Sequence, residues 1–266
     1  MIDTHAHVFA KQFDDDRGEM LERARSAGVQ KIYMPNINGD SIEPMMNLAN
    51  RYPSFLKPML GLHPCYVGED WAEHMDRIEA QLKLSELAGI GETGLDYYWD
   101  TAHVKEQKAC LGRHVEWALE LDLPIILHSR SAIDDTIEII QAAGPAIRGI
   151  FHCFTGTPKQ AEAIVDLGFK IGVGGIVTFK NAGLDKVVAD LPIDSLVLET
   201  DAPYLAPHPY RSKTNEPSYL PLIAKKIAEL HQMDVEKIIE RTNRNAEEIF
   251  GVRKKNEDGA EATEPK

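Results

Sequence analysis

LDLPIILHSR, residues 121–130, contains the repeating unit from which the fold can be predicted. LDLP ends a segment with helical periodicity, and a proline at such a point is typical of a helix exit into a strand. The run IIL at 125–127 is apolar without alternation, as in a parallel strand that is covered on both faces. His128 and Arg130 come at the end of this run. The stretch therefore predicts an α/β protein with polar groups where its strands end.

The same alternation of short apolar runs and longer helical stretches continues to about residue 250. Helical stretches are recognised by apolar residues that recur at intervals of three and four. The candidate strands are Ile2–His7, Lys31–Asn36, Leu56–His63, Ala88–Gly94, Pro124–Ser129, Gly149–Phe154, Lys170–Ile176 and Ser195–Thr200. The candidate helices between them include Glu19–Ala27, Met75–Leu87, Val104–Leu121, Ala132–Ala143, Gln160–Leu167 and Gly183–Leu191.

Eight strand–helix units in about 250 residues favour a TIM-type (β/α)8 barrel over an open, doubly wound sheet, which is the alternative. Residues 217–231 and 234–250 are predicted to form two closing helices. We expect one domain over residues 1–251. Residues 252–266 are polar without apolar periodicity, so a disordered tail is predicted there.

Composition narrows the class of protein. The net charge of −13 argues against a broad basic face for duplex nucleic acid. Three scattered cysteines form no CxxC pair, which favours a reducing compartment. No apolar run reaches the roughly 18 residues that a membrane helix needs. We therefore expect a soluble, cytoplasmic protein that binds no membrane and needs no obligate protein partner.

Histidines and carboxylates are concentrated at the predicted strand ends. In a (β/α)8 barrel the active site is built from residues at the carboxyl ends of several strands. The residues at these ends are His5, His7, His63, Glu92, His128, Arg130, His152 and Asp201. The pair His5 and His7 alone is a weak motif. The joint placement of all these groups predicts one site.

Imidazole and carboxylate ligands suit divalent metals such as Zn²⁺ or Mn²⁺, and an oxygen-rich subset can hold Mg²⁺. Six such ligands, His5, His7, Glu92, His128, His152 and Asp201, are too many for one open catalytic metal site. They fit two ions that share a carboxylate and activate a water molecule. The predicted reaction class is metal-assisted hydrolysis.

Six stretches resemble the TatD family of metal-dependent deoxyribonucleases, within the amidohydrolase-like barrels. They are DTHAH at 3–7, GLHP at 61–64, GETGLD at 91–96, ILHSR at 126–130, HCFTG at 152–156 and ETDAPYLAP at 199–207. The resemblance covers residues 2 to about 250. Ala6 and Val8 depart mildly from the family's usual DTHCHL or DSHCHL, and neither change removes a candidate ligand.

The resemblance implies a division of the ligands between two metals. His5, His7, Glu92 and Asp201 would hold one ion, and Glu92 would bridge to a second ion held by His128 and His152. Asp201 would also be the general base. The implied activity is hydrolysis of phosphodiester bonds in DNA, as a 3′–5′ exonuclease on single-stranded or frayed ends.

Other residues near the predicted site have two interpretations each. Glu199 shares a strand face with Asp201, so it either orients a ligand histidine or has a structural role. His63 and Arg130 either contact substrate or serve packing and ion pairing. Arg211, in a loop that resembles the family's loop after strand eight, is a candidate phosphate contact.

Aromatic residues 97–99 either stack on a base or pack over their loop. Asp3 receives no role.

Two alternatives to a nuclease stay open. The same ligands serve hydrolysis of a small amide, ester or lactone, because the fold does not determine the substrate. A metal-stabilised barrel that acts only as a binding partner is the third hypothesis, and the candidate base argues against it.

Overall fold

The computed structural model describes residues 1–99 and 101–251. Eight parallel strands are hydrogen-bonded in sequential order. They are β1 (Ile2–Asp3), β2 (Lys31–Pro35), β3 (Leu56–Leu60), β4 (Gly89–Asp96), β5 (Ile125–Arg130), β6 (Gly149–Phe151), β7 (Lys170–Val173) and β8 (Leu196–Leu198). This order confirms the predicted barrel, and the doubly wound alternative is wrong because its strand order is not sequential.

Nine α-helices lie in the described part of the chain. They are α1 (Arg17–Ser26), α2 (Ile42–Arg51), α3 (Trp71–Leu82), α4 (Val104–Glu120), α5 (Ile133–Ala143), α6 (Pro158–Asp166), α7 (Leu184–Asp190), α8 (Leu220–His231) and α9 (Val235–Phe250). The two closing helices, α8 and α9, are confirmed, whereas α2 was not predicted. None of the helices in residues 1–99 and 101–251 is long and apolar enough to cross a membrane. The predicted tail, 252–266, lies outside the described residues.

The barrel closes along a seam between residues 3–7 and residues 198–202. Three backbone hydrogen bonds cross the seam: Thr4 N–H to Leu198 O (3.0 Å), Asp201 N–H to His5 O (2.9 Å) and His7 N–H to Ala202 O (2.7 Å). The two sides of this seam are almost 200 residues apart in the chain. The seam therefore joins the beginning of the barrel to its end.

Asp3 lies in the seam, and the structure gives it partners that the sequence did not reveal. Its buried carboxylate accepts hydrogen bonds from Thr200 N–H (3.0 Å), Thr200 Oγ1 (2.6 Å) and His5 N–H (3.2 Å). Burial raises the pKa of Asp3 to about 7. Two of these three hydrogen bonds come from Thr200, on the opposite side of the seam, so Asp3 stabilises the closure of the barrel.

Side chains alternate between two apolar clusters, as expected for a period of two. The outer cluster is the larger one and includes residues of both the strands and the helices, and the inner cluster lies inside the barrel. In β5, Ile125 and Leu127 belong to the outer cluster, whereas Ile126 belongs to the inner cluster. The buried inner cluster consists of Ile2, Tyr33, Met59, Ile126, Ile150, Val197, Ala246 and Ile249.

Helix α9 covers the amino end of the barrel. It contributes Ala246 and Ile249 to the inner cluster, and its Asn243 Oδ1 accepts a hydrogen bond from Ile2 N–H (2.9 Å). The Phe250 ring stacks on Tyr33 with 3.5 Å between centroids. With this end filled, polar groups can face the interior only at the carboxyl end.

Six of the eight predicted strands are shorter in the structure, and two of these differences bear on the histidines. β1 ends at Asp3 instead of His7, and β3 ends at Leu60 instead of His63. His63 therefore lies beyond the end of β3, whereas residues 5–7 lie beyond β1 but stay paired across the seam through the bridge between Ala6 and Ala202. His5 and His7 lie on either side of the bridged Ala6, and their imidazoles converge with 3.2 Å between the Nε2 atoms.

His114 on α4 is a structural histidine whose burial makes a testable prediction. Its Nε2 accepts a hydrogen bond from Leu62 N–H (3.0 Å), and its Nδ1–H donates to Cys110 O (2.8 Å). Burial lowers its pKa to about 4, from an ordinary value of 6.5. The unfolded chain therefore binds a proton as the pH falls below 6.5, while the folded protein resists protonation down to about pH 4.

We expect this difference to cost the folded protein about 3 kcal/mol between pH 7.5 and pH 4. A His114→Gln variant keeps a donor and an acceptor but does not titrate. Urea unfolding at both pH values should show the wild type losing about 3 kcal/mol more stability than this variant. Equal losses in the two proteins would contradict the assignment.

Candidate metal centre

Two candidate ligands follow directly from the alternation of the strands. His128 comes two residues after Ile126, and His152 two residues after Ile150. Because both isoleucines belong to the inner cluster, the histidines face the barrel interior one level higher. Both imidazoles reach the same carboxylate, that of Glu92.

Glu92 faces the interior because of a β-bulge. The register between β4 and β5 shifts between Ile90 and Thr93, with Thr93 paired to Leu127. Ile90 and Leu127 both face outward, in the outer cluster. One extra residue in β4, between Ile90 and Thr93, reverses the alternation of side chains. Glu92 therefore points inward, whereas in a regular strand it would point outward.

Two glycines allow close approach of backbone and carboxylate groups at the carboxyl end of the barrel. Gly94 has a φ of 144°, and a Cβ there would overlap the carbonyl oxygen of His128. A Cβ on Gly172 would overlap the carboxylate of Glu199. The close packing around the site therefore depends on the absence of side chains at these two positions.

The two carboxylate oxygens of Glu92 face two different sets of imidazoles. Oε2 lies 3.1 Å from His5 Nε2 and 3.4 Å from His7 Nε2. Oε1 lies 2.7 Å from His152 Nε2, 3.1 Å from His128 Nδ1 and 3.3 Å from His63 Nε2. Glu92 is thus placed between two groups of nitrogen donors.

Asp201 lies on the same side as His5 and His7. Its Oδ1 is 3.7 Å from His7 Nε2 and 3.9 Å from His5 Nε2. Burial raises the pKa of Asp201 to about 6. The structure therefore brings together all six residues that were predicted as metal ligands, and their role as ligands stays a prediction.

Hydrogen bonds fix which nitrogen two of the histidines present. The Nδ1–H of His7 donates to Pro35 O (3.0 Å), because a carbonyl can only accept, so the lone pair of the neutral ring is on Nε2. His128 contacts Asp96 Oδ2 through Nε2 (2.9 Å), which leaves Nδ1 toward Glu92. Such contacts to a carbonyl or carboxylate are typical of metal-binding histidines.

The electrostatics of the cluster keep its central carboxylate ionised. Burial alone would raise the pKa of Glu92, but the neighbouring imidazoles, above all His152, outweigh burial and hold that pKa well below its usual range. Burial lowers the pKa of His5, and the neighbouring His152 lowers it further. The centre therefore combines an anionic bridge with a neutral His5.

Glu199 is fully buried beside His152. Its Oε1 lies 3.7 Å from His152 Nδ1 and accepts a hydrogen bond from the backbone N–H of Cys153. The other oxygen has no hydrogen-bond partner within residues 1–99 and 101–251. This position is compatible with orienting His152, and that role stays a prediction.

The donor set fits divalent metal ions. In three sets of side chains, the donor atoms of each set lie within 4.8 Å of one another. The sets are His5, His152 and Asp201; His5, His7 and Glu92; and His63, Glu92 and His128. The Nε2 atoms of His5 and His7 face each other at 3.2 Å, an arrangement that a shared cation would satisfy. Nitrogen and carboxylate donors of this kind suit Zn²⁺, Mn²⁺ or related ions.

The centre lies at the bottom of a cavity of about 670 Å³. His63 and Arg130, predicted as substrate contacts, both line it. His63 also lies close enough to Glu92 to belong to the ligand cluster. Arg211 does not line the cavity; its guanidinium lies 4.0 Å from the centroid of the Phe179 ring.

Asp96 also belongs to this site, although the sequence pattern did not single it out. Besides its contact with His128, its Oδ1 accepts hydrogen bonds from the backbone N–H groups of Tyr98 and Trp99 (both 2.9 Å). The signal was available in GETGLD, where a carboxylate ends β4 four residues after Glu92. Its partner His128 could be identified only from the pairing of β4 with β5.

Comparison with known proteins gives one family. The sequence model described as TatD related DNase matches residues 2–251. The chain is 39% identical to the uncharacterized metal-dependent hydrolase YabD of Bacillus subtilis, over 95% of this chain and 99% of that protein. It is 31% identical to the 3′-5′ ssDNA/RNA exonuclease TatD of Erwinia billingiae, over 94% of this chain and 98% of that protein.

A solved structure shares the fold. The crystal structure of YjjV, a TatD homologue from Escherichia coli K12, superimposes with a TM-score of 0.89 at 32% identity. The match covers 95% of this chain and 98% of the YjjV chain.

Proposed function

The chain belongs to the family of TatD-related DNases, and from this membership and the geometry of its centre we propose that it is a divalent-metal-dependent hydrolase that cleaves phosphodiester bonds in DNA. We further propose that it acts as a 3′–5′ exonuclease on single-stranded or frayed ends. The name of the Erwinia relative supports both nucleic acid as substrate and this polarity.

The observation that carries the proposal is the placement of Glu92 between two sets of imidazoles. We assign His5, His7, Glu92 and Asp201 to one ion and Glu92, His128 and His152 to a second. When bound, two ions sharing a carboxylate can lower the pKa of a water molecule and polarise a phosphoryl oxygen.

The protein's own groups provide the proton transfer. Asp201 has its pKa raised to about 6 and lies beside His7, so near neutral pH it is ionised and can accept a proton from the attacking water. Asp96 and Pro35 hold the rings of His128 and His7 in fixed orientations. No covalent intermediate with the protein is needed.

Cations at the mouth are proposed to bind the phosphates. Arg130 lines the cavity, and no carboxylate in residues 1–99 or 101–251 lies within ion-pair distance of its guanidinium. Arg211 lies further out and would contact a phosphate along the strand. With a net charge of −13, local contacts of this kind agree better with a chain end in a pocket than with binding along a duplex.

Removal of metal tests the proposal. We expect dialysis against EDTA to abolish hydrolysis of a 3′-end-labelled single-stranded oligonucleotide, since no group in the centre replaces the charge of the ions. Addition of Mg²⁺, Mn²⁺ or Zn²⁺ should restore it, and elemental analysis should find up to two ions per chain.

The same assay should include blunt duplex DNA, RNA, amides, esters and lactones. We expect slower cleavage of the blunt duplex than of the single strand. Turnover of an amide or lactone that exceeds every phosphodiester by orders of magnitude would overturn the substrate assignment. Full activity in EDTA would overturn the metal dependence.

A further inference from the structure

Exposed apolar side chains are concentrated around the mouth of the metal-centre cavity. In the described part of the chain, the exposed large apolar residues are Tyr66, Leu84, Tyr98, Trp99, Leu119, Leu121, Tyr204 and Leu205. Tyr66, Trp99, Tyr204 and Leu205 line the cavity itself. Clustering of exposed aromatic surface at one opening is typical of a binding site.

Trp99, which lines the cavity, and its chain neighbour Tyr98 are the most exposed aromatic residues in the described part of the chain. They are 67% and 59% exposed, and their rings meet edge to face with 4.9 Å between centroids. The guanidinium of Arg130 lies 4.1 Å from the Tyr98 centroid and 5.3 Å from the Trp99 centroid. We call Tyr98, Trp99 and Arg130 the aromatic platform.

We propose that the aromatic platform stacks on an unpaired base of the substrate, next to the phosphodiester bond held at the metal centre. This inference rests on the proposed nuclease function and adds the feature that selects unpaired strands. The charge of Arg130 complements the phosphate that accompanies the base.

The platform is attached to the metal centre through one carboxylate. Asp96 accepts the backbone N–H groups of Tyr98 and Trp99 with Oδ1, and it contacts His128 with Oδ2. The backbone N–H of Tyr97 also donates to Arg130 O (3.0 Å). Stacking on the platform would therefore place a base at a fixed position relative to a candidate metal ligand.

Tyr97 shows why only its two neighbours are available for stacking. Its hydroxyl donates to Asp135 Oδ2 (2.8 Å), and its ring is half-buried against the outer cluster. Of the two interpretations of residues 97–99, packing therefore describes Tyr97, whereas Trp99 and the part of Tyr98 that Arg130 does not cover present exposed ring surface.

Base stacking also accounts for a preference for unpaired ends. Inside a duplex each base is covered on both faces by its neighbours, and at a blunt end only the outer face of the terminal pair is free. A frayed or single-stranded end frees the faces of its unpaired bases, and every base has such a face. The platform would therefore favour unpaired strands with little preference for sequence.

Oligonucleotides with a single abasic residue test the platform. One of the last three positions at the 3′ end carries a tetrahydrofuran residue in each substrate, and the unmodified strand is the reference. For the wild type we expect one of these substitutions to raise KM by about 10- to 100-fold. In Trp99→Ala, KM for the unmodified strand should rise by a similar factor, and the abasic residue should not raise KM any further.

Three controls accompany this cycle. Trp99→Phe should retain most of the affinity that Trp99→Ala loses, because it keeps an aromatic ring. Leu84→Ala removes an exposed apolar side chain outside the cavity and should leave KM unchanged. Titration with a single-stranded oligonucleotide should quench the tryptophan fluorescence of the wild type more than that of Trp99→Phe, which retains Trp71 and Trp117.

The outcomes separate the two proposals. If the wild type hydrolyses the oligonucleotides but no abasic position changes KM, the platform proposal is wrong and the nuclease function stands. If no phosphodiester is hydrolysed with any metal, the proposed function is wrong. In that case the fluorescence titration still tests the platform. Equal quenching of tryptophan fluorescence in the wild type and Trp99→Phe would overturn the platform proposal as well, and stronger quenching in the wild type would support it.

Discussion

Replacement of Glu92 by glutamine is expected to abolish hydrolysis while the protein stays folded. The change keeps the size of the side chain but removes the charge from the centre of the imidazole cluster. The stabilisation that two bound ions supply is several kcal/mol. Since about 1.4 kcal/mol is a factor of ten in rate, we expect a loss of at least roughly 1000-fold.

The measurement combines the rate on a 3′-end-labelled oligonucleotide with the metal content of the purified variant. Glu92→Gln and Glu92→Ala should both lose metal, with an unchanged far-UV circular dichroism spectrum. Glu79→Gln makes the same chemical change at a surface carboxylate that pairs with Arg113 (3.0 Å), and it should retain full activity. Activity retained in either Glu92 variant would disprove the bridging assignment.

Replacement of Asp201 by asparagine should give a different pattern. This side chain is assigned both as a ligand of one ion and as the base, whereas His128, His152 and Glu92 remain for the second ion. General base catalysis contributes about 100- to 10,000-fold. We therefore expect a rate reduced by at least about 100-fold, with metal content reduced to about one ion per chain.

Comparison of the two variants separates the roles of the carboxylates. Asp194→Asn, at an exposed aspartate that pairs with Arg241 (3.2 Å), provides the control for the same substitution. If Asp201→Asn keeps more than a tenth of the wild-type rate, Asp201 is not the base. If it loses both ions, the division of ligands between two ions is wrong.

The barrel could be predicted because its signals are local. Each strand is a short apolar run and each helix a periodic stretch, and the order of these segments along the chain is also their order around the barrel. The same pattern places His128 and His152 together, since each comes two residues after an inward-facing isoleucine of the inner cluster. For such residues the strand period is sufficient information.

Other features of the site depend on details that an apolar pattern does not encode. The bulge beside Glu92 inserts one residue without changing the hydrophobic run, so the apolar pattern does not predict the inward direction of the carboxylate. The contact of Asp96 with His128 depends on the register of two strands. The exposure of Tyr98 and Trp99 depends on how their loop packs.

The seam of the barrel has a consequence for protein synthesis. His5 and His7 are synthesised almost 200 residues before Asp201, which lies on the other side of the seam. A nascent chain therefore carries an incomplete set of donors for most of its translation. The proposed two-ion centre can form only after the last strand has docked on the first, so the proposed hydrolysis can begin only once the barrel has closed.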